Sequence, residues 1–223
     1  MSQRALLLYK RVTRTLHLNY LLYLPKGYRA SGKKKWPLIL FLHGAGERGD
    51  DIELIKKHGL PKLIEAGGEL PFIVVSPQCP LETWWSSHLD ALDALLDEVV
   101  QTHAVDTTRL YLTGMSMGGY GTWHYAALHP QRFAALAPIC GGGPWPFGFP
   151  DKVAVLKDVP IWVFHGAKDK IVPPSESKRL VKVLEKVGGN VHFTLYPEAQ
   201  HDSWTQTYDN PELYEWFLQH QAG

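Results

Sequence analysis

Gly114-Met115-Ser116-Met117-Gly118 has the residue types and spacing for nucleophilic chemistry. It fits the pattern G-x-S-x-G, in which a serine is held on a sharp turn between a strand and a helix. Small residues are needed on either side, because the turn strains the backbone and leaves no room for side chains. The same turn places the backbone N–H of Met117 at a helix start, where it can donate to a developing oxyanion. A serine hydroxyl is a weak nucleophile at neutral pH, so it requires a base, and the base requires an orienting group. Asp169 follows the apolar run Ile161–His165, and His201 follows the run 191–196. The chain order Ser116, Asp169, His201 is therefore that of a Ser-Asp/Glu-His relay. Asp202 is a weaker candidate for the acid. It adjoins the histidine in sequence, where side chains rarely face one another, and it reads as a helix cap.

These residues need a scaffold that places loops at one edge of a sheet. Apolar runs bounded by Gly and Pro alternate with segments of helical periodicity, which predicts a mainly parallel sheet covered on both faces by helices. Strands are expected over 16–24, 37–42, 72–76, 110–113, 133–139, 161–165 and 191–196. Helices are expected over 89–100, 117–128, 176–187 and 212–220. The nucleophile turn would follow the fifth or so strand. No linker divides the chain, so residues 1–223 are read as one α/β domain, a length that supports a large core.

His43-Gly44-Ala45-Gly46-Glu47-Arg48-Gly49 follows a buried strand. Gly44, Gly46 and Gly49 match the dinucleotide pattern G-x-G-x-x-G. However, Gly59-Leu60-Pro61 interrupts the following helical segment, and no carboxylate ends the next strand. The loop is better read as the second half of an oxyanion hole, with Ala45 the first choice of donor and Gly46 the second. Glu47 and Arg48 are expected to form a structural ion pair beside it, the alternative for Arg48 being contact with an anionic substrate group. Ser175-Glu176-Ser177-Lys178 fits S-x-x-K without the companion motifs, and reads as a helix start after Pro173-Pro174. Trp84, Trp85 and Trp204 fall on loops at the same sheet edge, and Trp145 and Phe147 on the short segment 141–159. All five are candidates to grip an acyl chain or an aryl ring. That segment is too short for a large lid, so an open cleft is expected.

Taken together, the loop from His43 to Gly49, Ser76-Pro77-Gln78-Cys79-Pro80, the serine pentapeptide with Gly119, His165-Gly166 with Asp169, and His201 with Trp204 make the chain resemble a known group. These are small α/β-hydrolase esterases of the dienelactone-hydrolase and prolyl-oligopeptidase-like kind, also labelled predicted peptidases or phospholipase/carboxylesterases. The resemblance covers residues 43–204. It implies an α/β-hydrolase fold and cofactor-free hydrolysis of small carboxylic esters through an acyl-enzyme. The same triad would serve a feruloyl or acetylxylan esterase, or a serine peptidase. Prolyl-oligopeptidase-type enzymes usually add a gating domain, and none fits here. A catalytically inactive receptor on the same fold is the rival from another class, and the intact set Ser116, Asp169 and His201 weighs against it.

Composition excludes other classes. The 23 basic and 22 acidic residues leave a net charge of +1, without the basic face of a nucleic-acid binder. Lys33-Lys34-Lys35 reads as a solvated loop. Cys79 and Cys140 have neither metal-ligand spacing nor the makings of a disulfide framework, so no metal or cofactor is expected. Leu6-Leu7-Leu8 is too short for a signal-peptide core, and no run approaches a membrane span. A cytoplasmic location is expected, or a secreted one if a signal was removed upstream. Oligomeric state is left open.

Overall fold

The computed structural model describes residues 3–143 and 151–223. Its strands are β1 (Tyr20–Tyr23), β2 (Trp36–Leu42), β3 (Ile73–Pro77), β4 (Val105–Met115), β5 (Ala135–Ile139), β6 (Ile161–Gly166) and β7 (Val191–Tyr196). Its α-helices are α1 (Gly59–Glu65), α2 (Leu89–Thr102), α3 (Met117–Leu128), α4 (Ser175–Lys186), α5 (Trp204–Tyr208) and α6 (Pro211–Leu218). The strands form one sheet in the order β1-β3-β2-β4-β5-β6-β7. Only β1 is antiparallel to its neighbour; the other pairs are parallel. This is the α/β-hydrolase fold.

The continuous apolar run of β2 follows from burial on both sides. Leu38, Leu40 and Leu42 enter one core cluster with Leu92 and Leu96 of α2 and Leu180 and Leu184 of α4. Ile39 and Phe41 enter the other, with Leu60 of α1, Tyr208 of α5 and Phe217 of α6. Alternate side chains of a strand point to opposite faces, so every β2 position is apolar.

Several boundaries differ from the sequence reading. β1 is confined to four residues. Tyr20 already faces Pro77, the last residue of β3, so an antiparallel extension from residue 16 would have no partner strand. β4 begins five residues early, at Val105, which pairs with Trp36 across a register irregularity. Its first half, Asp106 to Arg109, is polar and carries no apolar signature. The turn that carries Ser116 follows the fourth strand along the chain, not the fifth. Gly59-Leu60-Pro61 starts a helix instead of interrupting one. Gly59 takes φ +63°, and Pro61 sits in the first turn, where its missing N–H removes no helical bond. The five-residue helix α5 was too short to show periodicity. Among the described residues, the β5–β6 connection carries only the 3-10 segment Asp151–Leu156 and no large lid. No helix among them is long and apolar enough to cross a membrane.

Candidate active site

Ser116 stands between β4 and α3 with φ +53°, a left-handed value that is strained for a non-glycine residue. The flanking glycines are required by contact distance. A Cβ on Gly114 would lie 2.4 Å from the carbonyl oxygen of Gly118, and one on Gly118 would lie 1.9 Å from that of Leu42. The turn is locked from behind, where the Ser116 N–H donates to the Ile139 carbonyl at 2.9 Å.

The Ser116 hydroxyl donates to His201 Nε2 at 2.9 Å, and His201 Nδ1–H donates to Asp169 Oδ2 at 2.7 Å. The acceptor-only carboxylate requires the proton on Nδ1, which leaves Nε2 free to accept. Asp169 is buried, and its other oxygen accepts the N–H groups of Ile171 and Val172, each at 2.9 Å. His165, at the end of β6, is a neighbour that sequence reasoning placed only in a motif. Its Nε2–H donates to the Val172 carbonyl at 2.9 Å and lies 3.3 Å from Asp169 Oδ2. The Ser177 hydroxyl donates to its Nδ1 at 2.8 Å. Burial lowers the pKa of His165, so it props the carboxylate as a neutral ring. Asp202 lies off the relay. It accepts the N–H and hydroxyl of Thr205 at the start of α5, at 3.0 and 2.9 Å.

Ala45 and Met117 border the same cavity as Ser116, a cleft of about 680 Å³. Each is the first residue of a helical turn, so neither N–H has a carbonyl partner within its own turn. Gly46 is exposed and does not border the cleft. The ion pair expected between Glu47 and Arg48 does not form. Arg48 instead donates to two carbonyls, Ala45 at 2.9 Å and Thr83 at 3.2 Å, and so ties the loop down. Glu47 is turned inward between His43 and His58, at 3.8 and 3.9 Å, and burial raises its pKa. Its direction is dictated by the tight turn Ala45–Glu47, which a residue count cannot reveal. The dinucleotide pattern is a decoy. A 3-10 turn follows β2, not the α-helix whose N-terminus would take a pyrophosphate.

The aromatic candidates separate. Trp84 is half exposed and forms a wall of the cleft, perpendicular to Tyr120 at 6.4 Å. Trp85 is only 1% exposed; it borders the cleft mainly as a prop, donating from Nε1 to the His43 carbonyl at 3.0 Å. Trp204 packs edge-on against His201 at 5.3 Å and does not border the cleft. Trp145 and Phe147 lie outside the described residues. Tyr120 and Ile171 also line the cleft and were missed. Tyr120 was legible in principle, since it lies one helical turn beyond Ser116 on the same face.

Cys140, Asp169 and His201 bring ligand atoms within 4.8 Å of one another. The donor set does not suit a metal, because Asp169 and His201 are bonded to each other. Burial also pushes the Cys140 thiol up to about 12, far from the thiolate a metal needs.

Residues 82–210 match the family described as phospholipase/carboxylesterase. The chain is 30% identical to acyl-protein thioesterase 1 homolog 2 of Dictyostelium discoideum over 74% of its own length and 85% of that protein. It is 28% identical to a bifunctional acetylxylan esterase/xylanase of Neocallimastix patriciarum, over 81% of its own length and 26% of that protein's. A thermostable esterase of known structure superimposes with a TM-score of 0.77 at 35% identity, covering 92% of this chain and 59% of that one. Across three of the curated relatives the chain spans between 26% and 49% of their length.

Proposed function

The chain belongs to the phospholipase/carboxylesterase family, and from that premise we propose that it is a serine carboxylesterase acting on short-chain or aryl esters through an acyl-enzyme. The observation that carries this reading is the continuous relay from Ser116 Oγ through His201 to Asp169, at 2.9 and 2.7 Å, opening on an apolar cleft. His201 takes the Ser116 proton as Oγ attacks the ester carbonyl. Asp169 holds the imidazole tautomer and stabilises the imidazolium. The N–H groups of Met117 and Ala45 receive the oxyanion. His201 then returns the proton to the leaving alcohol, and water, activated in the same way, releases the acid. Alcohols leave more readily than amines, which favours esters over peptides. A cytoplasmic site of action fits the two buried, unpaired cysteines.

An acetylxylan- or feruloyl-type substrate is the second reading. The exposed Trp84 face beside Tyr120 favours it, since these rings can stack on an aryl group. The test begins with a fluorophosphonate probe, expected to label wild type and spare Ser116→Ala. An unlabelled wild type would instead indicate a binding protein on this fold. p-Nitrophenyl esters of graded acyl length, with methyl ferulate alongside, then separate the substrates. Activity is expected to peak at about C2 to C8, because a cleft without a large lid leaves longer neutral chains in water. A maximum on long-chain emulsions would contradict this.

A further inference from the structure

The cleft does not end beside Ser116. Met117, Tyr120, Gly121 and His124 of α3 line the first cavity; His124, Ala127 and Leu128 line a second, of about 390 Å³. Ser86, Ser87 and His124 belong to both, so the two form one groove. The α3 positions recur at three- and four-residue intervals and share one helical face. At 1.5 Å per residue, His124 lies about 12 Å and Leu128 about 18 Å along the axis from Ser116.

The far end is built mainly of Leu89, Ala127, Leu128 and Val155, with one cation, Lys152. Among the described residues Lys152 makes no ion pair; the paired lysines are Lys26, Lys56 and Lys168. The sequence from Pro144 to Pro150 contains no acidic residue either. Lys152 borders the groove at an exposed position. His124, which borders both cavities, has its pKa lowered first by burial and then by the Lys152 charge. A cation at the border of an apolar groove, without an ion-pair partner among the described residues, favours an anionic ligand there.

We propose that the groove selects esters carrying a carboxylate at the end remote from the reacting carbonyl, held by Lys152. The substrate class is then a half-ester of an apolar diacid, or an ester of an apolar hydroxy acid. This rests on the esterase reading above. It agrees with a short optimum for neutral chains, because Leu128 is 58% exposed and the outer groove shelters extra methylenes poorly. A terminal anion restores binding there.

The experiment uses the full chain and two substrate sets. p-Nitrophenyl half-esters of linear diacids are compared with p-nitrophenyl esters of monoacids of matched length, which reads the acyl side. Butyrate esters of ω-hydroxy acids are compared with those of matched alkanols, which reads the alcohol side. The expected kcat/KM ratio of anionic to neutral ester exceeds one at some length in at least one set. It should fall about fivefold in Lys152→Met, the upper range for an exposed pair, and drop below one in Lys152→Glu. It should also shrink as salt rises. Lys186→Met, at the end of α4 and outside the groove, should keep the wild-type ratio. A ratio of one or less throughout both sets, or one that neither Lys152 variant moves, overturns the proposal. Titration of monomethyl suberate into Ser116→Ala protein, with and without Lys152→Met, reads the groove without turnover. Weaker binding in the double variant supports the proposal even if the esterase reading fails, and equal or undetectable binding in both overturns it.

Discussion

At the scale of single residues, two adjacent ambiguities in sequence have one geometric resolution. Asp169 and Asp202 were both candidates to orient the histidine, but only Asp169 meets Nδ1, with both its oxygens occupied. Asp169→Asn removes the negative partner and favours the wrong tautomer, so kcat should fall about 10⁴-fold with the fold retained. Asp202→Asn keeps a side-chain oxygen that can cap α5, so kcat should stay within a few-fold of wild type, with stability lowered by a few tenths of a kcal/mol at most. Steady-state kinetics on both variants, with circular dichroism as the folding control, checks the assignment; a crippled Asp202→Asn beside a near-normal Asp169→Asn would reverse it. Ser116→Ala should lose about 10⁴-fold or more in kcat. Unchanged turnover in pure protein would remove Ser116 as nucleophile.

At the scale of elements, the turn that carries Ser116 is held by close backbone approach more than by side-chain packing. α3 can start directly behind Ser116 only because Gly118 has no Cβ, which would lie 1.9 Å from the Leu42 carbonyl oxygen at the end of β2. Gly118→Ala must therefore displace backbone, which does not yield as a flexible side chain would. A loss of at least about 3 kcal/mol is expected, at the upper end for overpacking. Gly46 provides the contrast: it lies in the other glycine-rich loop, yet a Cβ there meets nothing within 4 Å. Gly46→Ala should shift the denaturant midpoint by less than about 0.5 kcal/mol, the usual range for an unencumbered surface change. Equal midpoints for the two alanine variants would show that the turn is not under the constraint described.

At the scale of the whole molecule, His43 joins three loops at the edge of the sheet. Its Nδ1–H donates to the Gly44 carbonyl at 2.6 Å, its Nε2 accepts the Cys79 N–H at 2.9 Å, and its carbonyl accepts from Trp85. A second ring proton would face the Cys79 N–H, so protonation breaks the junction. Burial accordingly lowers the pKa of His43 from 6.5 to about 4. A group whose folded pKa is depressed contributes stability that is complete above its unfolded value and is lost as pH falls towards the folded one. The contribution is on the order of 3 kcal/mol, lost between roughly pH 6.5 and pH 4. His124 and His165, also held low by burial, act in the same direction. Denaturant midpoints should be level above pH 7 and fall through this window. His43→Asn, less stable at neutral pH, should fall less steeply. Parallel pH profiles for the two proteins would show that His43 carries no such linkage.

That Ser116, Asp169 and His201 could come together, the buried central strands and the long helices were all legible in the sequence. Each is written in local spacing: a pentapeptide, an apolar run, a helical period. The ends of β1 and β4 were not, because a strand extends as far as its partner does, and Pro77 and Trp36 are distant in sequence from the residues they face. The direction of Glu47, the division of the tryptophans into cleft wall and prop, and the support of Asp169 by His165 were likewise invisible. They depend on which surfaces meet after the chain has closed on itself. Composition could name the residues able to do chemistry, but only tertiary packing could say which of them share a cavity, because burial and contact are properties of pairs far apart in the chain.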